Sequence, residues 1–192
     1  MLIEGDIPDA ARLDNEAGFP IALYETIVDL DAYLVEHGSS MRYADIVAQV
    51  ASPDVRGLLQ SLLGDGAVPE ATYRHALDVQ RPQLQAAYSE HFKRHNVSAV
   101  VFPTTPLPAA PIGQDETVML NGQAVPTFPT FIRNCSPASV AGIPGISLPA
   151  AMTSAGLPLG LELDGPHNAD AHLLAIARAV EAVLPRTPAP PL

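Results

Sequence analysis

The stretch that decides how this chain is read is "FIRNCSPASVAGIPGISLPAAMTSAGLPLGLELDGP", residues 131–166. Glycines and prolines recur in it at short intervals among apolar residues, and only Arg133, Glu162 and Asp164 carry charge. Surface loops are rarely so apolar, and core strands are rarely so punctuated. Within it, "GISLPA" and "LPLGLELDG" read as two short strands. Gly142 and Gly145 let the backbone pass close to a neighbour or ligand, and the flanking prolines fix φ at little entropic cost. Such a small, rigid, uncharged wall suits one side of a pocket for a neutral ligand. Residues 134–139 are read as that wall, and residues beyond Gly145 as packed sheet interior. Glu162 and Asp164 stand two apart on a strand, hence on one face, and a solvated strand end accounts for them.

Working outward, the chain alternates in type. "IALYETIVDLDAYLVEHG" after Pro20 places Leu23, Ile27, Leu30 and Leu34 on one helical face, with Gly38 as the stop. "SPDVRGLLQSLLG" predicts a helix capped by Ser52, opened by Pro53 and ended by Gly64. A long helix follows from Pro69, and Pro82 is expected to kink or divide it. "SAVVFPTTP" reads as a short buried strand, and "TVMLNGQAV" as a hairpin turning at Asn121-Gly122. Asn168 is expected to cap a last helix whose Leu173, Ala177, Val180 and Leu184 face inward. Helices, then strands, then a covering helix predict an α/β fold, a mixed β-sheet covered by helices on both faces. The strands read as apolar on both faces, as in the middle of a large sheet. "LIEG" at the start reads as the last part of a strand. A sheet of these pieces alone leaves long unpaired edges, so the fold is expected to be present only in part.

Composition narrows the class. The chain has 192 residues, 47% of them hydrophobic, and a formal net charge of -11. That is enough to bury a core, and the acidity argues against nucleic acid or an anionic membrane surface as a partner. One cysteine, Cys135, forms no internal disulfide, and "MLIEGDIPDAARLD" shows neither a basic nor an apolar leader segment, so a cytoplasmic location is expected. No apolar run is long enough to span a bilayer. A homo-oligomer is compatible with this composition. The proline-rich residues 185–192 read as a tail.

The string "AGIPGISLPAAMTSAGLPLGLELDGPHNADAHLLAIARAVE" resembles the C-terminal part of the amidase signature family. The likeness is carried by Ala141-Gly142-Ile143-Pro144 through Ser147 and Pro149, by Gly156-Leu157-Pro158-Leu159-Gly160, and by Leu173-Leu174 with Glu181. Upstream, "AVVFPTTPLPAAPIG" is similar to the family's buried strand and the loop after it. "GFPIALYETIVDLDAYL" looks most like the branch that hydrolyses arylacetamides, the mandelamide and indoleacetamide hydrolases. The resemblance implies that residues 1–184 are the C-terminal portion of an amidase domain acting on a small aromatic primary amide, mandelamide-like, without a cofactor. It also implies a substrate-side wall at Thr130, Asn134, Cys135 and Ser136, although Cys135 and Ser136 stand where related hydrolases often carry Thr and Asp.

The family's catalytic set is a Ser–cis-Ser–Lys triad on a Gly- and Ser-rich segment, with backbone N–H groups for the oxyanion. The sequence has no such run. Ser39-Ser40 lacks a following glycine loop, and the single lysine, Lys93, sits in the charged helix end "FKRH". The expectation is therefore that the triad lies outside these residues, on a missing N-terminal catalytic half that would be this chain's partner. Other chemistries are weaker. Cys135 has no histidine near it in sequence, and lone cysteines are commonly inert core residues. His91 and His95 have metal-ligand spacing but Phe92 follows His91, so no zincin motif is present, and cations at a helix C-terminus account for them. The alternative from another class is a non-catalytic truncated remnant or a partner-binding module.

Overall fold

The computed structural model describes residues 2–189. The chain divides into two compact units, one of residues 12–82 and one of residues 1–11 with 83–192.

The unit of residues 12–82 is helical. It contains most of α1 (Ala10–Glu36), then α2 (Tyr43–Val47), α3 (Pro53–Ser61) and α4 (Glu70–His75). α1 begins eleven residues before the expected start and carries Pro20 inside it, since only one backbone hydrogen bond is lost and the apolar stripe outweighs it. Gly38 follows in the left-handed conformation, φ 71. The core gathers Tyr43, Val47 and Leu62 against Leu23, Ile27, Leu30 and Leu59, three of the four stripe positions read from sequence. Polar ties fix the packing. The Tyr43 N–H donates to Asp31 at 2.6 Å, its hydroxyl donates to the Leu59 carbonyl at 2.9 Å, and the Tyr73 hydroxyl donates to Glu25 at 2.7 Å.

The long helix from Pro69 is not divided at Pro82. A π-helical turn, Ala76–Gln80, joins α4 to α5 (Arg81–His95). Pro82 has no N–H to give and its ring crowds the carbonyl four residues back, so a local change to i→i+5 bonding absorbs it.

In the other unit, β1 (Val100–Pro103), β4 (Gly145–Met152) and β5 (Pro158–Asp164) form one sheet in the order β1-β5-β4. Both pairings are antiparallel, with Val100 and Gly145 flanking Asp164, and Phe102 and Ser147 flanking Glu162. β4 lies at an edge among the described strands, which suits Pro149 and the register shift between Pro149 and Ala151. β2 (Thr117–Leu120) and β3 (Gln123–Pro126) make a separate hairpin. It turns at Asn121 (φ 51) and Gly122 (φ 80), the two positive φ values of a type I′ turn. Two short helices, α6 (Thr127–Ile132) and α7 (Ser136–Ala141), lead into β4, and α8 (Asp170–Glu181) follows β5.

α8 covers one face of the sheet. Leu173 and Ala177 meet Leu148 and Leu163 in a buried cluster, flanked by Ile146, Val180 and Leu184. Two expectations need correction here. Asn168 does not cap this helix. It takes φ 60 in the turn before it, and Ala169 precedes the first helical residue. "LIEG" is not a strand, because residues 2–7 have no regular structure, and Gly5 instead lies beside the His91 ring. The proline-rich tail lies outside the described residues from 190 onward.

Candidate functional site

The expected wall begins where β1 ends. Asn134, in the turn between α6 and α7, donates its Nδ2 to the Pro103 carbonyl at 2.8 Å, fastening that turn to the end of β1 across 31 positions of sequence. Cys135 is half-buried. Its N–H donates to the Ile132 carbonyl at 3.1 Å, and its own carbonyl accepts from the Ser139 N–H at 3.1 Å. Its Sγ lies 3.5 Å from the Ile132 carbonyl, a weak thiol hydrogen bond. Ser136 opens α7 with Pro137 behind it. α7 closes on Gly142 at φ 72, where Gly142 N–H reaches the Ser139 carbonyl and Ile143 N–H the Ala138 carbonyl, each at 3.1 Å. This is a Schellman ending that a residue with a Cβ adopts only at a cost.

Asn134, Cys135 and Ser136 are thus held as one rigid turn. Thr130 is buried one turn earlier, on α6. A cavity of about 400 Å³ opens nearby, with Leu107, Pro108, Val118, Met119, Phe131 and Leu157 among its lining residues. None of the four expected wall residues lines it; Phe131, adjacent to Thr130, does.

A second polar group was read in the sequence as a solvated strand end. β5 alternates Leu159, Leu161 and Leu163 on one face with Gly160, Glu162 and Asp164 on the other. The Thr104 hydroxyl and the Ser147 hydroxyl are hydrogen-bonded over Gly160. A Cβ on Gly160 would stand 2.6 Å from Thr104 Oγ1 and 2.7 Å from Ser147 Oγ, so only glycine leaves room for the pair. Glu162 and Asp164 are not a solvated strand end. Glu162 is 8% exposed and Asp164 0%, on the middle strand of the three. Both Asp164 carboxylate oxygens are buried with no hydrogen-bond partner among the described residues. Burial, and then the negative charge of Glu162, push the Asp164 carboxyl up to about 7. The strands are accordingly not apolar on both faces. Mid-strand "LELD" in a segment otherwise free of acids was the available signal.

The histidine pair behaves as a local feature. The rings of His91 and His95 lie 4.6 Å apart. Burial first, and then the neighbouring His95, hold His91 below the usual imidazole range. Among the described residues no group of three or more His, Cys, Asp or Glu is arranged to hold a metal. None of the described helices is long and apolar enough to cross a membrane.

Comparison with known proteins gives this geometry its context. The indoleacetamide hydrolase of Agrobacterium vitis is 40% identical over 95% of this chain, and the match covers 39% of that protein. The mandelamide hydrolase of Pseudomonas putida is 33% identical over 98% of this chain and 38% of its own length. A crystal structure of an amidase superposes with a TM-score of 0.70 at 28% identity, covering 93% of this chain and 36% of that one. The chain therefore spans under two-fifths of the length of these relatives, over which its α/β architecture is that of part of their fold. Residues 3–174 match the family model described as Amidase, and on that match the chain belongs to the amidase family.

Proposed function

We propose that the chain is the C-terminal portion of a serine amidase that hydrolyses a small aromatic primary amide to the carboxylate and ammonia. The Ser–cis-Ser–Lys set lies on polypeptide outside these 192 residues. The observation that carries this reading is the family match over residues 3–174, in a chain that has one lysine and no serine pair followed by a glycine loop. The aromatic amide is supported by the names of two relatives, an indoleacetamide hydrolase and a mandelamide hydrolase. Mandelamide-like substrates were the sequence expectation, and the higher identity of the former relative puts indoleacetamide beside them.

In this reading residues 1–184 are one part of the amidase domain, and Thr130, Asn134, Cys135 and Ser136 form the substrate-side wall. The bond from Asn134 to the Pro103 carbonyl keeps the turn in place, so the wall orients the aryl group without moving during attack. The serine outside the chain attacks the amide carbon, ammonia leaves, and water hydrolyses the acyl-enzyme. Cys135 shapes the pocket and does not react.

Ammonia release tests the proposal. The purified chain should not hydrolyse phenylacetamide, mandelamide or indole-3-acetamide above the uncatalysed rate. Co-expression with a polypeptide carrying the Ser–Ser–Lys segment of a related amidase should bring activity on at least one of them, and little on acetamide. Release by the chain alone that survives Lys93→Ala and Cys135→Ala would reveal a catalytic group within it and sink the assignment. Silence of the co-expressed pair would favour a non-catalytic remnant.

A further inference from the structure

The face of the sheet turned away from α8 carries two acids that the wall does not use. Asp164 is wholly buried with both oxygens unpartnered among the described residues, and Glu162 is nearly so buried. Both point over Gly145. A Cβ built there would stand 2.8 Å from Asp164 Oδ1 and 3.2 Å from Glu162 Oε1, so these two oxygens lie within about 6 Å of each other. The residues beside them on the flanking strands are Val100 and Phe102 on β1 and Gly145 and Ser147 on β4, and none is charged. The Asp164 carboxyl is raised by burial and by Glu162, with no cation offsetting them.

Two acids on one buried face, Asp164 among them without a partner among the described residues, are costly, because each loses water and each repels the other. A proton on one of them is a partial remedy. A cation with several N–H donors is a fuller one. Gly145 and Ser147 on β4 are exposed, whereas the acids beside them on β5 are buried.

We propose that Glu162 and Asp164 form an acceptor socket for the guanidinium of an arginine carried by the polypeptide that completes the amidase. This rests on the reading above that the chain works with such a polypeptide. A guanidinium presents five N–H donors in a rigid plane. It engages both free oxygens of Asp164 through one fork and still has donors left for Glu162. An ammonium gathers three donors on one strongly hydrated atom and fits this spread of acceptors less well. Gly145 is then the gate of the socket, because any Cβ there occupies the space the guanidinium needs.

The test follows the side-chain carboxyl resonances of Asp164 and Glu162 by carbon NMR of the full chain as pH is varied. Samples contain methylguanidinium chloride, ammonium chloride or sodium chloride at equal ionic strength. Methylguanidinium should shift the Asp164 resonance saturably and lower its midpoint by about one pH unit or more, a tenfold preference for the charged form. Ammonium and sodium should not. Glu162→Gln and Gly145→Ala should each abolish the difference, the second while keeping both acids. Methylguanidinium behaving like sodium, ammonium matching it, or an effect that survives Gly145→Ala would overturn the socket. Should Glu162→Gln fail to fold, Gly145→Ala and the salt comparison still decide. Ammonia release plays no part in this readout, so failure of the amidase reading and failure of the socket register separately.

Discussion

Replacing Asp164 with asparagine should remove a pH dependence from the stability of this chain. The carboxyl titrates at about 7 in the fold against 3.8 as its ordinary value. An acid whose folded value is raised binds its proton more tightly folded than unfolded. Stability from this group is therefore fully present below pH 4, falls as pH rises, and is lost above 7. At 1.36 kcal/mol per unit, the whole penalty is about 4 kcal/mol, of which about 3 kcal/mol develops between pH 5 and 8. The assay is urea unfolding followed by far-UV circular dichroism at both pH values, for the native chain and Asp164→Asn. Asparagine is also buried without partners, and that cost is the same at both pH values, so the change with pH isolates the proton. The native chain should lose about 3 kcal/mol more than the variant on going from pH 5 to 8. Equal losses in the two proteins would mean that Asp164 ionises normally, and the buried, unpartnered placement of its oxygens would be wrong.

Other substitutions probe the wall and its supports. Gly142→Ala forces a Cβ into φ 72 and should cost about 1–2 kcal/mol in urea unfolding. Leu173→Ala, at a site 2% exposed in the cluster under α8, should cost about 2–5 kcal/mol by the same measurement. Asn134→Ala removes the tie to Pro103; stability should fall by about 1 kcal/mol, and in the assembled enzyme KM should rise more than kcat falls. Cys135→Ala in that enzyme should likewise act on KM or substrate preference, whereas a fall in kcat of about a thousandfold or more with folding intact would make the thiol a nucleophile.

Several helices and turns of this chain were readable from local rules. Pro53, Gly38, Asn121-Gly122 and the Leu173, Ala177, Val180, Leu184 stripe all act within a few residues of themselves, and the structure puts each to the use its chemistry suggests, whereas Ser52 stands at the N-cap position without a side-chain capping hydrogen bond. The expected wall was read as a rigid, uncharged segment from its backbone chemistry, and its individual residues through resemblance. A long-range support, from Asn134 to Pro103, joins residues 31 positions apart, and no periodicity encodes that. The misreadings share a cause. Pro82 was expected to kink or divide its helix, and the disturbance takes the form of a π-turn at Ala76–Gln80 and not a break, while "LIEG" was given a strand that the described residues do not form. Glu162 and Asp164 show the limit best. The pattern Leu-Glu-Leu-Asp is identical for a strand with one wet face and for a central strand whose acids are buried, because alternation reports which residues share a face and not what lies against it. What separates the two cases is the burial of that face, together with a glycine at 145 that leaves room for oxygen atoms where a methyl would stand. Both facts belong to residues distant in sequence. A buried acid pair of this kind is therefore found by asking which neighbours have given up their side chains to make space for it.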